Sequence, residues 1–479
     1  MRKISRIPND VTATVACPTD RPSTSDTRLI SGYHRPPGTS RSDVGSVTQI
    51  GSERLPEILM PEAAYRCRLE GMEALVSRPL RLLWLAPYGP WPEQGGGRIR
   101  LWEVVSGLAS HGVELHVYYQ SNKDASPADP PNVPRVLWSP YEGRVRQGVL
   151  RKVVSLFSCL PASAWEMVNR DLEHELRDRS RTFDAVVLEQ ALMAPYITYL
   201  AADTPVILIA QNVEHDVIAQ IGRLSPRLKT RLMCRLEVLK FRRLERKVFN
   251  RAQLVVAMSQ LDKSRILKLV NNAFVAVYPN GVDLDFHEYR PRREGRGNRL
   301  VMTGTMGYVP NLDAAMWIYH EILPGVRRQI PDASITLVGS CPNELRRLHD
   351  PTLGFEVIGF VEDVRPHMQA SDIFLMPLRM GGGTRLKALE AMSAGVPIVS
   401  TSLGVEGLDL GAPPAASIGE TALELIEQCV RLLNDSALRQ EQSTRARALV
   451  EENYSWTRIV SAFHRDLVCL LNSASTSGE

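Results

Sequence analysis

From about residue 80 onward, short apolar runs alternate with stretches of helical period. In "RPLRLLWLAPYG" the run at 82–86 is apolar on both faces, the pattern of a central parallel strand. A glycine-rich loop, "GPWPEQGGGRIR", leads into the helical stretch "LWEVVSGLASHG", which ends at Gly112, and "VELHVYY" is the next strand. "DAVVLE", "PVILIAQ" and "LVVAMS" continue the rhythm, with helical stretches between most of them. Such strand–helix–strand alternation predicts a doubly wound parallel sheet.

After "VAVYPNGVDL" the polar segment "DFHEYRPRREGRGNR" reads as an interdomain linker. The rhythm then restarts with "RLVMTG", "SITLVG", "FEVIGF", "DIFLMP" and "PIVST", a second sheet of the same kind. The pattern divides the chain into a Rossmann-like N-terminal domain over 77–285, a Rossmann-like C-terminal domain over 298–454, and a closing helix over 455–472 that joins the first domain. Two such sheets would face each other across a cleft, and ligands of open α/β sheets bind beyond the carboxyl ends of the strands. Residues 1–76, rich in Ser, Thr, Pro, Gly and Arg, lack a sustained apolar period and read as a disordered tail.

Composition narrows the picture without redrawing it. A chain of 479 residues exceeds one ordinary core. The excess of 57 basic over 53 acidic residues does not predict nucleic-acid binding. Seven cysteines at wide spacings, with no C-x-x-C, argue against a disulfide scaffold or zinc site and for small buried hydrophobes in a reducing cytoplasm. The N-terminus has no continuous apolar region of secretory type, and "ALMAPYITYLAA" is too short to span a bilayer. The expectation is a cytoplasmic protein that, if it works at a membrane, lies peripherally on its inner face.

The densest chemistry is "MGGGTRLKALEAMSAGVPIVST" at 380–401, just after the strand "DIFLMP". Thr384 is a suitable N-cap, which predicts a helix over 385–394 followed by Gly395. A helix start offers unpaired N–H groups and partial positive charge, a phosphate site. Gly381, Gly382 and Gly383 lack a Cβ, so the backbone can wrap an anion closely. Arg385 and Lys387 add full charges in the first turn, against the macrodipole preference, which implies a compensating anion. Glu390 lies further along the helix by about 7.5 Å, at ~1.5 Å per residue, near the spacing of a nucleotide's diphosphate and ribose. A carboxylate there could accept hydrogen bonds from both ribose hydroxyls; a plain surface pairing with Lys387 at i, i+3 is the alternative.

These features resemble the retaining, nucleotide-sugar-dependent GT-B glycosyltransferases of family 4, many of which build bacterial surface polysaccharides. The resemblance runs in order through "PYGPWPEQGGGRIRLWEVVSGLASHGVEL", "AQNVEHDV", "VVAMSQLDK", "VYPNGVDLDFHEY", "VMTGTMGYVPNLDAA", "GFVEDVRPHMQASDIFLMPL", "GGGTRLKALEAMSAGVPIVSTSLGVEGL" and "YSWTRIVSAF". It implies a nucleotide-diphosphate sugar in the second domain, a carbohydrate or lipid-linked acceptor mainly on the first, and neither cofactor nor metal. The family's donor motif pairs two glutamates; Glu390 matches the second, and Gly382 falls at the first. Backbone N–H groups around Gly382, Gly383 and Thr384 would then contact sugar or diphosphate instead. The family's basic residues after the second domain's first strand are replaced in "GTMGYVPN", where Thr305 follows Gly304 and Asn311 closes the segment. The diphosphate charge therefore falls to Arg385 and Lys387.

In the first domain Gln211 stands where the family has a histidine near the transferred sugar, and Asn212, Val213 and Glu214 keep the pattern. Gln can hydrogen-bond a sugar hydroxyl but cannot shuttle a proton at neutral pH. His215 is either a substitute or a solvated helix residue. Gly95, Gly96 and Gly97 would approach the donor diphosphate across the cleft, Arg100 matches a basic family position or is a solvated helix charge, and the backbone at 359–361 would face the base. The implied reaction is retaining sugar transfer to an acceptor hydroxyl, with Gln211, Glu214, Arg385 and Lys387 as catalytic candidates. Its rivals are a nucleotide-sugar-binding protein without transfer activity and a GT-B epimerase or hydrolase. Two basic helical stretches, 144–157 and the one repeating Leu228, Leu232, Leu236 and Leu239, read as core-packed helices with solvated basic faces, or as contacts with anionic lipid.

Overall fold

The computed structural model describes residues 78–91, 95–121, 131–143, 158–225, 227–292, 294–381 and 385–476. The expected tail at 1–76 and the basic stretch at 144–157 lie outside the described residues, as do Gly382, Gly383 and Thr384.

The first sheet holds β1 (Arg81–Ala86), β2 (Glu114–Gln120), β3 (Val136–Tyr141), β4 (Ala185–Glu189), β5 (Val206–Ala210), β6 (Leu254–Ala257) and β7 (Val275–Val277), in the order β3-β2-β1-β4-β5-β6-β7. The pairings are parallel, with Leu82 opposite Leu115 on one side and Ala185 on the other. The expected central strand is indeed covered on both faces: after Arg81, every residue of β1 is buried. Its alternate side chains feed two cores, Leu82 and Trp84 on one face of the sheet, Leu83 and Leu85 on the other. Each such burial contributes about 1.5–3 kcal/mol.

The second sheet, also parallel, holds β8 (Arg299–Thr303), β9 (Ser334–Val338), β10 (Phe355–Gly359), β11 (Ile373–Met376), β12 (Ile398–Ser400) and β13 (Ser417–Ile418), ordered β10-β9-β8-β11-β12-β13. The strand order reverses between β1 and β4 in one sheet and between β8 and β11 in the other. Those two crevices are the positions where open α/β sheets take ligands.

The helices that shape the site are α1 (Gly96–Ser110), α2 (Glu214–Leu224), α3 (Leu228–Arg251), α4 (Gln260–Leu269), α5 (Val309–Trp317), α6 (Leu386–Ser393), α7 (Ser436–Asn453) and α8 (Trp456–Thr476). Trp456, Ile459, Val460, Phe463 and Leu467 of α8 pack into the core beneath the first sheet. The crossing with α1 is close: a Cβ on Gly107 would stand 2.8 Å from Val460 Cγ1. The segment between the sheets is pinned rather than loose. Arg292 donates to the carbonyl oxygens of Ser371 and Ala394, and its backbone N–H to Gln440.

Among the described cysteines Cys234, Cys429 and Cys469 are buried as expected, whereas Cys159 is exposed. Among the described residues no helix is long and apolar enough to cross a membrane.

Candidate functional site between the two sheets

On the second sheet the crevice is walled by the turn after β8 and the first turn of α6. Lys387 reaches from α6 to the first turn of α5, which follows that turn, and there its Nζ donates to Asn311 Oδ1 at 2.9 Å. Asn311 is fixed in turn, its Nδ2 donating to the Thr305 carbonyl at 2.9 Å. A Cβ on Gly304, whose φ is +136°, would fall 2.7 Å from Lys387 Nζ, so only glycine leaves the ammonium its place. Lys387 is partly buried, and burial first, then the neighbouring Arg385, push its ammonium down to about 8 against a smaller opposing pull from Glu390. Arg385 is buried at the very start of α6 and donates to the Leu403 carbonyl at 3.3 Å. Burial lowers its pKa as well.

Arg385 itself is the N-cap residue of α6, and it supplies no side-chain cap. The helix therefore starts one residue later than expected and ends at Ser393, with Gly395 in the left-handed region at φ +72°. Two cations thus crowd the positive end of a helix, both partly or wholly withdrawn from water. Desolvation, mutual repulsion and the helix dipole all disfavour that arrangement until an anion enters. The surface pairing of Lys387 with Glu390 gives way to the Asn311 contact, while Glu390 still bears electrostatically on Lys387 and on buried His287.

On the first sheet the crevice lies between the ends of β1 and β4. Gly97, in the first turn of α1, touches its wall. A Cβ there would overlap Tyr88 Oη at 2.2 Å and Gln211 Oε1 at 2.9 Å. Gln211 Oε1 accepts from Tyr88 Oη at 3.2 Å and from Gln190 Nε2 at 2.9 Å, and its Nε2 donates to Glu189 Oε1 at 2.5 Å. The other oxygen of Glu189 accepts from Trp84 Nε1 at 3.0 Å. Glu189 is fully buried, and burial raises its carboxyl to about 7 even though Arg100 pulls the other way. Beside it, Gln190 holds a left-handed backbone, φ +67°, a conformation that costs a non-glycine residue energy. Glu189 and Gln190 were invisible as site residues in the sequence, since the apolar strand before them reads as plain core; the only available signal was a carboxylate closing a buried run.

The remaining candidates divide. A Cβ on Gly96 would meet Leu386 Cδ1 of α6 at 2.9 Å, and Leu386 packs against the cores of both sheets. The starts of α1 and α6 therefore meet across the cleft. Glu214 opens α2, partly buried, and its carboxyl is pushed up to about 7 by burial and by Glu245. Both Glu214 and Arg385 act electrostatically on Tyr308, which places them around one part of the cleft.

Two surface expectations fail. Arg100 is buried and donates to the Pro279 carbonyl at 2.9 Å and Asn280 Oδ1 at 3.0 Å, and burial lowers it to about 10. His215 is buried as well, its Nδ1 lying 2.6 Å from Glu245 Oε2, so it is no solvated helix residue. The long helix α3 reverses expectation in another way. Its core contacts come from Cys234, Phe241, Leu244, Val248 and Phe249. The leucines that set the repeat point outward: Leu228 is 79% exposed, Leu232 58%, Leu236 44% and Leu239 54%.

Residues 94–286 match the Glycosyltransferase Family 4 description and residues 297–435 match Glycosyl transferases group 1. Two parallel sheets with facing crevices and these matches define a glycosyltransferase of the GT-B architecture. The chain belongs to the family 4-like branch of that class.

Over 197 residues it is 29% identical to a GDP-mannose-dependent alpha-(1-6)-phosphatidylinositol monomannoside mannosyltransferase of Mycolicibacterium smegmatis, covering 37% of this chain and 50% of that one. Over 154 residues it is 34% identical to a GDP-mannose-dependent monoacylated alpha-(1-6)-phosphatidylinositol monomannoside mannosyltransferase of Corynebacterium glutamicum, covering 28% and 39%. The chain thus spans about half the length, or less, of these curated relatives. Among solved structures, sucrose-phosphate synthase from Thermosynechococcus elongatus shares the fold at TM-score 0.61 and 16% identity, covering 82% of this chain and 100% of that one. Anabaena Alr3699/HepE in complex with UDP and glucose does so at TM-score 0.54 and 15% identity, covering 81% and 99%.

Proposed function

We propose that this glycosyltransferase is a retaining enzyme that moves a sugar from a nucleoside-diphosphate sugar to an acceptor hydroxyl, in polysaccharide or glycolipid synthesis. The observation that carries the reading is the pair Arg385 and Lys387, withdrawn from water at the start of α6 on either side of Leu386, the residue that meets Gly96 of α1. A departing diphosphate supplies the missing negative charge. Fixed cations and helix N–H groups stabilise that charge most where it develops, in the transition state. Glu390 would hold the ribose, the Gly304–Thr305 turn would lie beneath the diphosphate, and Gly96 and Gly97 would close on it from the opposite side. Gln211 and Glu214 would line the acceptor side. The reading invokes no metal or other cofactor. Approach of the two domains would exclude water and so favour transfer over hydrolysis.

The relatives named above act from GDP-mannose, and one structural neighbour holds UDP and glucose. GDP-mannose and UDP-glucose therefore head a calorimetric panel of donors. Saturable binding of one donor, lost in a folded Arg385→Ala/Lys387→Ala variant, is expected. Unchanged affinity in that variant overturns the reading. Nucleoside diphosphate released only when acceptor is present separates a transferase from a hydrolase, and the anomeric configuration of the product tests retention.

The acceptor in this reading is lipid-linked, with the enzyme seated peripherally on an anionic membrane in the cytoplasm. Support comes from α3, whose outward leucines are flanked by exposed Lys229, Arg231, Arg235, Arg242 and Arg243. An apolar ridge between cationic edges is the build of an interfacial helix.

A further inference from the structure

We propose that Glu189 is a positioning residue that sets the direction of the Gln211 side-chain amide, and through it the hydrogen-bonding polarity of the crevice on the first sheet. The assignment of that crevice to the acceptor rests on the glycosyltransferase reading; the positioning role does not.

The geometry leaves the amide few choices. Trp84 Nε1 is a donor only, so the Glu189 oxygen it meets must accept. An ionised carboxylate has nothing to donate, so Gln211 has to turn its NH2 group toward Glu189 Oε1. Its carbonyl oxygen is thereby aimed at Tyr88 Oη and Gln190 Nε2. When Glu189 takes a proton from solvent onto Oε1, that O–H can donate. The amide can then reverse, with Gln211 Oε1 accepting from Glu189 and its NH2 group facing Tyr88 and Gln190, whose own amide has to reverse with it so that its oxygen accepts where its Nε2 now donates to Gln211 and Tyr88. Tyr88 Oη suits either state, because a hydroxyl both donates and accepts. One proton on a fully buried carboxyl thus exchanges an acceptor for a donor in the wall of the crevice.

Every member sits at the β1–β4 reversal. Trp84 comes from β1, Glu189 ends β4, Gln211 follows β5 and Tyr88 lies in the turn after β1. Gly97 is what admits α1 to the group, since any Cβ there would collide with both Tyr88 and Gln211. The charged group acting on the carboxyl is Arg100 from α1, which Tyr88 in turn influences. Arg100 favours the ionised form, burial opposes it more strongly, and the carboxyl lies at about 7 as a result. Both states are therefore populated near neutral pH.

The test needs no ligand. Amide and indole N–H resonances of the full unliganded chain are followed from about pH 5.5 to about pH 8.5, a window bracketing the shifted carboxyl. The Trp84 indole signal is assigned with Trp84→Phe and the side-chain amide with Gln211→Leu. Both signals are expected to move with one shared midpoint near neutrality, and neither to move in Glu189→Gln. A Trp84 signal flat across the range overturns the proposal. So does a Trp84 signal that titrates while the Gln211 amide stays still. Both overturning readings are titrations of the wild-type chain; the variants serve for assignment and as the non-titrating control. Failure of donor binding in the calorimetric panel would sink the glycosyltransferase reading and leave this result standing.

Discussion

The ammonium of Lys387 stands 2.9 Å from the side-chain oxygen of Asn311, joining the start of α6 to the start of α5 with a neutral amide as its partner. On the proposed reading, a cation held this way weakens the empty protein and strengthens the one that has bound an anion. Lys387→Met keeps the length and removes the charge. The variant is expected to melt higher than wild type without ligand, by an amount on the order of 1–2 kcal/mol. Its affinity for a nucleoside diphosphate should fall by roughly 100-fold or more, the scale of losing a charge-assisted contact. Thermal unfolding with and without nucleotide reads both signs at once, and a variant less stable in both states refutes the account.

The pH dependence follows from the same group. Its folded pKa, about 8, lies below the ordinary lysine value. Above that point the unfolded chain holds more protons than the native one, so this group's contribution to stability rises with pH from about 8 to about 10.5. Nucleotide binding has the opposite sign, because the anion prefers the charged amine. Affinity is expected to decline above about pH 8, by at most roughly tenfold per pH unit for one proton. Calorimetry in buffers of different ionisation enthalpy should record proton uptake on binding near and above that pH. Proton release there would contradict the assignment.

Gly97 offers a test by paired substitution. Gly97→Ala should destabilise the fold by about 1–3 kcal/mol, the usual penalty for overfilling a packed site. The nearest obstacle is the hydroxyl of Tyr88, at 2.2 Å from the added carbon. Tyr88→Phe in the Gly97→Ala background should therefore recover part of the loss, although alone it removes hydrogen bonds. A double variant whose loss equals the sum of the two single losses would show that the overlap with Tyr88 is not the cause.

Sequence and structure agree where the signal is local and repeated. Runs such as "LLWLA" and "VILIA" are buried on both faces, and both fold as central strands. Strand β3 was not foreseen. It carries Pro140, sits at the sheet edge, and shows a mixed burial pattern that no two-sided apolar run announces. The cationic first turn of α6 was legible because it breaks a helix rule within three residues. Glu189, by contrast, gains its meaning from Trp84 and Gln211, which lie 105 and 22 positions away. The repeat in α3 misled for a related reason: a 3.6-residue period marks one face of a helix but not which side faces water.

Glu189 also makes a stability prediction. Its folded pKa, about 7, stands above the ordinary carboxyl value because burial penalises the charge. A raised carboxyl contributes stability that is fully present below the unfolded pKa and is lost as pH climbs through the folded one. Glu214 is raised to about 7 for the same chief reason and shares the window. Glu189→Gln cannot ionise, so its stability relative to wild type should grow between about pH 4.5 and about pH 7, by no more than roughly 3.5 kcal/mol. Denaturant titrations at pH values spanning that window measure the difference. A constant offset would mean that the carboxyl is not titrating there.

The outward ridge of α3 carries the last prediction. Leu228, Leu232, Leu236 and Leu239 are exposed, so replacing them should leave the melting temperature nearly unchanged. If they enter the acyl boundary of a membrane, Leu232→Ser with Leu236→Ser loses apolar burial worth on the order of 2 kcal/mol, roughly 30-fold in partition. The cationic edges act separately and through a screened field. Raising salt should therefore weaken binding of the wild type to vesicles containing phosphatidylserine without abolishing it, whereas the serine variant should be stripped off entirely. Sedimentation with such vesicles at low and high salt distinguishes the two terms. Wild type and serine variant sedimenting alike at both salts would show that the ridge meets no membrane.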